Sequence, residues 1–180
     1  CTVSGNTSSS GGAGTYNSVV NNSILYFNTA IAVPGVSDFL GGSIRYSCIP
    51  ELPGPGSTTA NGPGNITGDP VFVNAAAGDY RLLPASPCLN NGDHASAVGT
   101  TDLAGNTRVA NGLVDMGAYE LQLATRYVNV ANSTPVSPYT NWATAASTIQ
   151  DAIDASAPGD TVLVTNGVYA TGGRVAAGSS

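Results

Sequence analysis

The sequence has no lysine. Its five basic residues are all arginine, Arg45, Arg81, Arg108, Arg126 and Arg174, and 11 acids bring the formal net charge to −6. Nucleic-acid binding needs clustered cations that displace counterions, so this partner class is excluded. Docking on anionic membranes is excluded on the same ground. Charge of either sign is scarce, at 9% of residues where about 25% is usual. Scarce charge often accompanies membrane insertion. Yet no run approaches the ~18 uninterrupted apolar residues that a spanning helix needs. Disordered chains are poor in apolar residues, whereas this one is 42% hydrophobic. The 23 Gly and 11 Pro stay below the share of roughly 25% that marks low complexity. Cysteine is limited to three residues, an odd number, so at least one stays unpaired within the chain. What remains is a folded, turn-rich chain, long enough for one ordinary domain or two small ones. With no initiator Met and no leader-like start, it reads as a processed form or an internal slice of something longer.

What is present is a repeat. Cys1-Thr2-Val3-Ser4-Gly5-Asn6-Thr7 sets against Ser23-Ile24-Leu25-Tyr26-Phe27-Asn28-Thr29, and Val20-Asn21-Asn22-Ser23-Ile24 against Ile44-Arg45-Tyr46-Ser47-Cys48. A period of roughly 20–25 residues with short strands and no helix between them is the signature of a β-solenoid. Asn at equivalent places in successive coils predicts an amide ladder through Asn6 and Asn28. A Gly/Pro loop runs from Gly54 to Gly64. Strand signals resume at Val71-Phe72-Val73 and Tyr80-Arg81-Leu82-Leu83, with turns at Asn91-Gly92 and Asn111-Gly112. Leu113 to Glu120 reads as a last strand.

The texture changes at Thr125. Arg126 to Val130 alternates as a strand. Ile149, Ala152 and Ile153 fall at helical spacing, with Ser147 or Thr148 as cap, and predict the one sizeable helix, within 145–157. Ala157-Pro158-Gly159-Asp160 stops it. Thr161 to Val164 is an apolar strand.

Two blocks carry a family resemblance. Gly64-Asn65-Ile66-Thr67-Gly68-Asp69-Pro70-Val71-Phe72-Val73, Gly78-Asp79-Tyr80-Arg81-Leu82, Ser86-Pro87-Cys88-Leu89, Thr101 to Arg108 and Val114 to Glu120 make residues 1–122 resemble the C-terminal end of a bacterial right-handed parallel β-helix. The type is the pectin-lyase-like superfamily with a choice-of-anchor Q domain. Tyr127-Val128, Asn141-Trp142-Ala143-Thr144, Thr148 to Ile153, Pro158 to Val162 and Gly167-Val168-Tyr169 make residues 123–180 resemble the N-terminal start of such a β-helix. The expected fold is therefore all-β, a right-handed parallel β-helix with one short capping α-helix. The end of one such helix would be followed by the beginning of another. The resemblance implies a secreted or cell-surface bacterial location and no single activity.

Chemistry is thinly marked. Lyases on this fold use Ca²⁺ held by acids, with an Arg or Lys base. Here Asp93, Asp102, Asp115 and Glu120 with Arg108 are the close set, and the plainer reading is an ion pair of Arg108 with Asp115 or Glu120. Asp151 and Asp154 share a helix face, where a helix start favours acids in any case. His94 sits in a loop with no motif. No cofactor is expected, Ca²⁺ being the one candidate. Trp142 can stack on a sugar or pack on the first coil. Of the sequons at Asn6, Asn21, Asn65 and Asn132, the loop residue Asn132 is the best glycan acceptor.

The cysteines predict a Cys48–Cys88 disulfide, since both fall in motif blocks flanking the Gly/Pro loop. Closing that span of about 40 residues stabilises by about 4 kcal/mol on the chain-entropy model. Cys1 would stay free or link to another chain. The leading functional expectation is a non-catalytic, extracellular module of a β-solenoid surface protein or fibre. Its raw ends, marked by Cys1 and Val3 at one side and Val175 at the other, would meet head to tail. The partner would be another copy or the next period of a longer chain. The second expectation is a carbohydrate-active or carbohydrate-binding β-helix that meets extracellular polysaccharide.

Overall fold

Thr2–Ser4 (β1) and Ile24–Tyr26 (β4) lie side by side as parallel strands, with Thr2 opposite Ile24. The next short strands, Thr7–Ser8 (β2) and Thr29–Ala30 (β5), pair in the same register. Thr15–Asn21 (β3) pairs in parallel with Phe39–Arg45 (β6), and β6 with Thr59–Asn61 (β7). Isolated parallel bridges extend the first row from Ile24 to Cys48 and from Cys48 to Ile66. The pairs Val20–Ile44 and Ile24–Cys48 are those of the sequence repeat. The structure is a computed structural model and describes residues 1–31, 38–53, 57–110, 112–171 and 173. Gly54, Asn111 and Val175 lie outside the described residues.

The corners between strands recur as well. Gly5 and Phe27 both take positive φ, 73° and 62°, one after β1 and the other after β4. Asn22 and Tyr46 do so after β3 and β6. A left-handed residue turns the chain between two short strands. Glycine adopts it without cost, whereas a ring-bearing residue such as Phe27 is a genuine outlier there.

Ile24 and Leu25 are adjacent and fully buried on opposite faces of β4. Leu25 joins Val20, Phe39, Ile44 and Ile49 in one core; Ile24 joins Cys48, Leu82, Cys88 and Met116 in a second. The second core exists because the segment after residue 66 covers the outer face of the strand row. Phe72–Asn74 (β8) and Asp79–Leu82 (β9) form a hairpin in it, and they are antiparallel. This corrects the expectation of parallel strands throughout residues 1–120. Leu113 to Glu120 is not a strand either. Only Leu113 makes a bridge, to Ala110. Met116 and Gly117 instead donate their N–H groups to the Cys88 and Asn22 carbonyls.

The chain divides into two units, Cys1–Gln122 and Leu123–Ser180. In the second, Thr125–Val128 (β10) pairs in parallel with Thr161–Val164 (β11). Between them Ile149–Asp154 (α1) is capped by Thr148, whose Oγ1 accepts from Asp151 N and donates to Asp151 Oδ2 at 2.6 Å. Ala152 packs on Val128 and Ala146. Ile153, expected on the buried face, is half exposed, because a six-residue helix presents too narrow a stripe to cover it. Among the described residues the fold is all-β with one short α-helix, built from small sheets of two or three strands.

Candidate functional site

Asn6 and Asn28 stand one above the other. Asn6 Nδ2 donates to Asn28 Oδ1 at 2.9 Å, and Asn6 N donates to the same oxygen at 3.1 Å. Asn28 Nδ2 in turn donates to Asp38 Oδ1 at 2.7 Å. The next partner is thus a carboxylate ten residues further along, which the Asn pattern did not reveal. Asp38 is buried, and burial raises its pKa against the opposing effect of the Asn28 bonds. Beside it opens a cleft of about 360 Å³ lined by Tyr26, Phe27, Asn28, Asp38, Phe39, Pro50 and Glu51. Tyr26 meets Phe27 edge to face, with centroids 4.9 Å apart, and the aromatic row continues through Phe72 to Tyr80. Phe27 is 52% exposed. Phe27 is thus a half-exposed aromatic held at positive φ, in the same cleft as the Asp38 carboxylate.

Of the two acids that the sequence offered to Arg108, the ion pair falls on Glu120. Arg108 is buried, and its Nη1 lies 3.4 Å from Glu120 Oε2. Its Nη2 donates to the Asp115 main-chain carbonyl, not to the Asp115 carboxylate. That carboxylate accepts from Asn90 N and Leu121 N, both at 2.7 Å. Glu120 accepts from Asp115 N through both oxygens at 3.1 Å. Asp102 accepts from Ala104, Asn106 and Glu120 N–H groups, and these bonds hold its pKa low although burial opposes them. Asp93 caps a short 3₁₀ turn that begins at His94, and His94 itself is exposed. Each acid is engaged in fixing the chain path. Among the described residues no group of three or more His, Cys, Asp or Glu converges as metal donors.

In the second unit, Trp142 is 45% exposed and rests edge to face on Tyr127, centroids 4.7 Å apart. Asn132 Nδ2, the atom a glycan would occupy, donates to the Ala145 carbonyl at 2.6 Å. A sugar there would replace one of the two Nδ2 hydrogens, whose acceptors are the Ala145 and Ala143 carbonyls. Asp151 and Asp154 bond to Thr148 and Gln150 of their own turn. Asp160 accepts from Ala124 N, Ala157 N and Arg126 Nη2. These bonds outweigh burial and lower its pKa. No described helix is long and apolar enough to cross a membrane.

Cys1 is exposed, whereas Cys48 and Cys88 are buried and share one apolar cluster, all three as free thiols. Val3 packs at the margin of the first core. Comparison with protein-family models, with curated proteins and with solved structures gives no match.

Proposed function

We propose that this chain is a non-catalytic structural module of the parallel β-helix type, stacked end to end with further copies or coils at a bacterial cell surface. The observation that carries the reading is the parallel register Thr2–Ile24–Cys48–Ile66, four levels of one row. Regular stacking of this kind builds a core that grows along one axis. β1, β2 and β3 each pair on one side only among the described residues. An edge strand with no partner is a template for another strand, and lysine, the usual guard, is missing from the whole sequence. The hydrogen bonds that hold the acids of the Arg108 cluster in turns and caps also favour a scaffold over a reaction centre.

Light scattering across a concentration series tests this. Mass should rise with concentration, and elongated particles should appear in electron micrographs. Thr7→Lys, which places a charge on the exposed edge strand β2, should lower the assembled fraction at least tenfold without altering the circular dichroism. A protein that stays monomeric at the highest concentration reached would overturn the reading.

A second reading, polysaccharide binding, is favoured by the cleft at Phe27 and Asp38. The ring offers an apolar face to a pyranose, and the Glu51 and Asp38 carboxylates are acceptors for its hydroxyls. Retention on a panel of immobilised polysaccharides should then fall about tenfold in Phe27→Ala. No retention of the unaltered protein on any of them would remove this reading.

A further inference from the structure

Cys48 and Cys88 are fully buried, and neither reading above uses them. Cys48 belongs to the stacked strands: its bridges run to Ile24 on one side and Ile66 on the other. Cys88 belongs to the covering segment. Its N–H donates to Ser86 Oγ at 3.1 Å, and its carbonyl accepts from Met116 N at 2.9 Å. The two side chains meet in one apolar cluster, between Ile24, Leu82 and Met116. The Cys48 thiol donates to the Gly68 carbonyl at 3.1 Å, and interaction with Cys88 together with burial pushes its pKa up. Cys1 is far from this arrangement in kind: it is exposed, and its thiol reaches only the carbonyl of Thr2.

We propose that Cys48 and Cys88 close to an intrachain disulfide, a covalent clasp that ties the covering segment to the strand row. The oxidant is a disulfide of the glutathione or protein-oxidoreductase class. Attack by either cysteine first gives the same product; with Cys88 first the steps are these. The Cys88 thiolate attacks one sulfur of the oxidant. The oxidant's S–S bond breaks, one thiolate leaves and takes up a proton, and a mixed disulfide remains on Cys88. Cys48 then gives up its proton and attacks the Cys88 sulfur, and the second thiol departs. The two cysteines lose two electrons together, and the oxidant is reduced to two thiols. Both sulfurs are out of reach of solvent in the folded chain, so the exchange belongs to folding, before the covering segment settles. Once formed, the cross-link is shielded from external thiols.

The test is to refold the full chain in a mixture of reduced and oxidised glutathione, quench with acid, denature, alkylate and digest. One alkylated cysteine, Cys1, and one cross-linked peptide joining Cys48 to Cys88 are expected. Reduction should then lower the melting temperature by roughly 5–15 °C. The Cys48→Ala/Cys88→Ala double variant should melt at one temperature with or without reductant. Three alkylated cysteines, or cross-links that run chiefly through Cys1, would overturn the proposal. Thiol counting needs no variant, so failure of the double variant to fold leaves the decision intact.

Discussion

Glu120→Ala should destabilise the first unit by about 2–5 kcal/mol at pH 8, read by urea denaturation. Truncation leaves the Arg108 guanidinium and the Asp115 N–H buried without their acceptor. Each unsatisfied buried group costs about 1–3 kcal/mol. Glu120→Gln should behave in another way, because Glu120 is a raised carboxyl. Burial, and then the negative charges of Asp115 and Asp102, lift its pKa from 4.5 to about 7 against the hydrogen bond from Asp115 and the Arg108 charge. Between these two values the folded chain keeps a proton that the unfolded chain has released. Stability supplied by this group is therefore full below about 4.5, falls as pH rises, and levels off above about 7. An amide mimics the protonated form and has no proton to lose. The Cys1 amino group runs the opposite way, since burial and the Arg108 charge lower it from 8.0 to about 6. The diagnostic is therefore the difference between the unaltered protein and Glu120→Gln. That difference should move in favour of the glutamine variant from pH 5 to pH 8. A constant difference would show that Glu120 is ionised throughout.

Gly42→Ala should cost about 2–5 kcal/mol and loosen the widest sheet. Gly42 sits in β6 at φ 80°. A methyl group there would run into the Ser18 main chain on β3, against its carbonyl oxygen and 2.5 Å from its nitrogen. The neighbouring strand cannot swing aside, because its own residues Val19 and Val20 are paired with Ser43 and Ile44. Gly78→Ala is the natural control. It has nearly the same φ, 77°, and nothing within 4 Å of the added carbon, so it carries only the left-handed strain of about 1–2 kcal/mol. Amide exchange across β3 and β6 should accelerate in the first variant and not in the second. Equal losses in the two would mean that the close approach of β6 to Ser18 carries no weight.

Whatever depends on like residues at a fixed offset was legible in the sequence. The Thr2–Ile24 and Val20–Ile44 pairs and the Asn6–Asn28 rung place similar side chains in register. The boundary of α1 was legible through Thr148, a capping residue just ahead of an apolar spacing. Asp38 was not, because it lies ten residues from Asn28, outside the repeat offset, and differs from Asn in type. The aromatic cleft draws Phe27, Phe39 and Glu51 from separate stretches of the chain, and no linear motif joins them. Arg108 was rightly set beside Glu120. The role of Asp115 was hidden because what Arg108 meets there is a main-chain carbonyl, which every residue carries.

The register shortens along the first row. It runs from Thr2 to Ile24 to Cys48 in long steps and then reaches Ile66 in a shorter one, and β7 keeps only three residues opposite the seven of β6. The strand row is therefore tapered, and taper gives it a direction. At the narrow side an incoming strand would find few groups to bond. At the broad side it would find β1, β2 and β3 laid out at full width. Under the assembly proposed above, the two ends are therefore unlike: a strand added beside β1, β2 and β3 meets full-length edges, and one added beside β7 meets a short one.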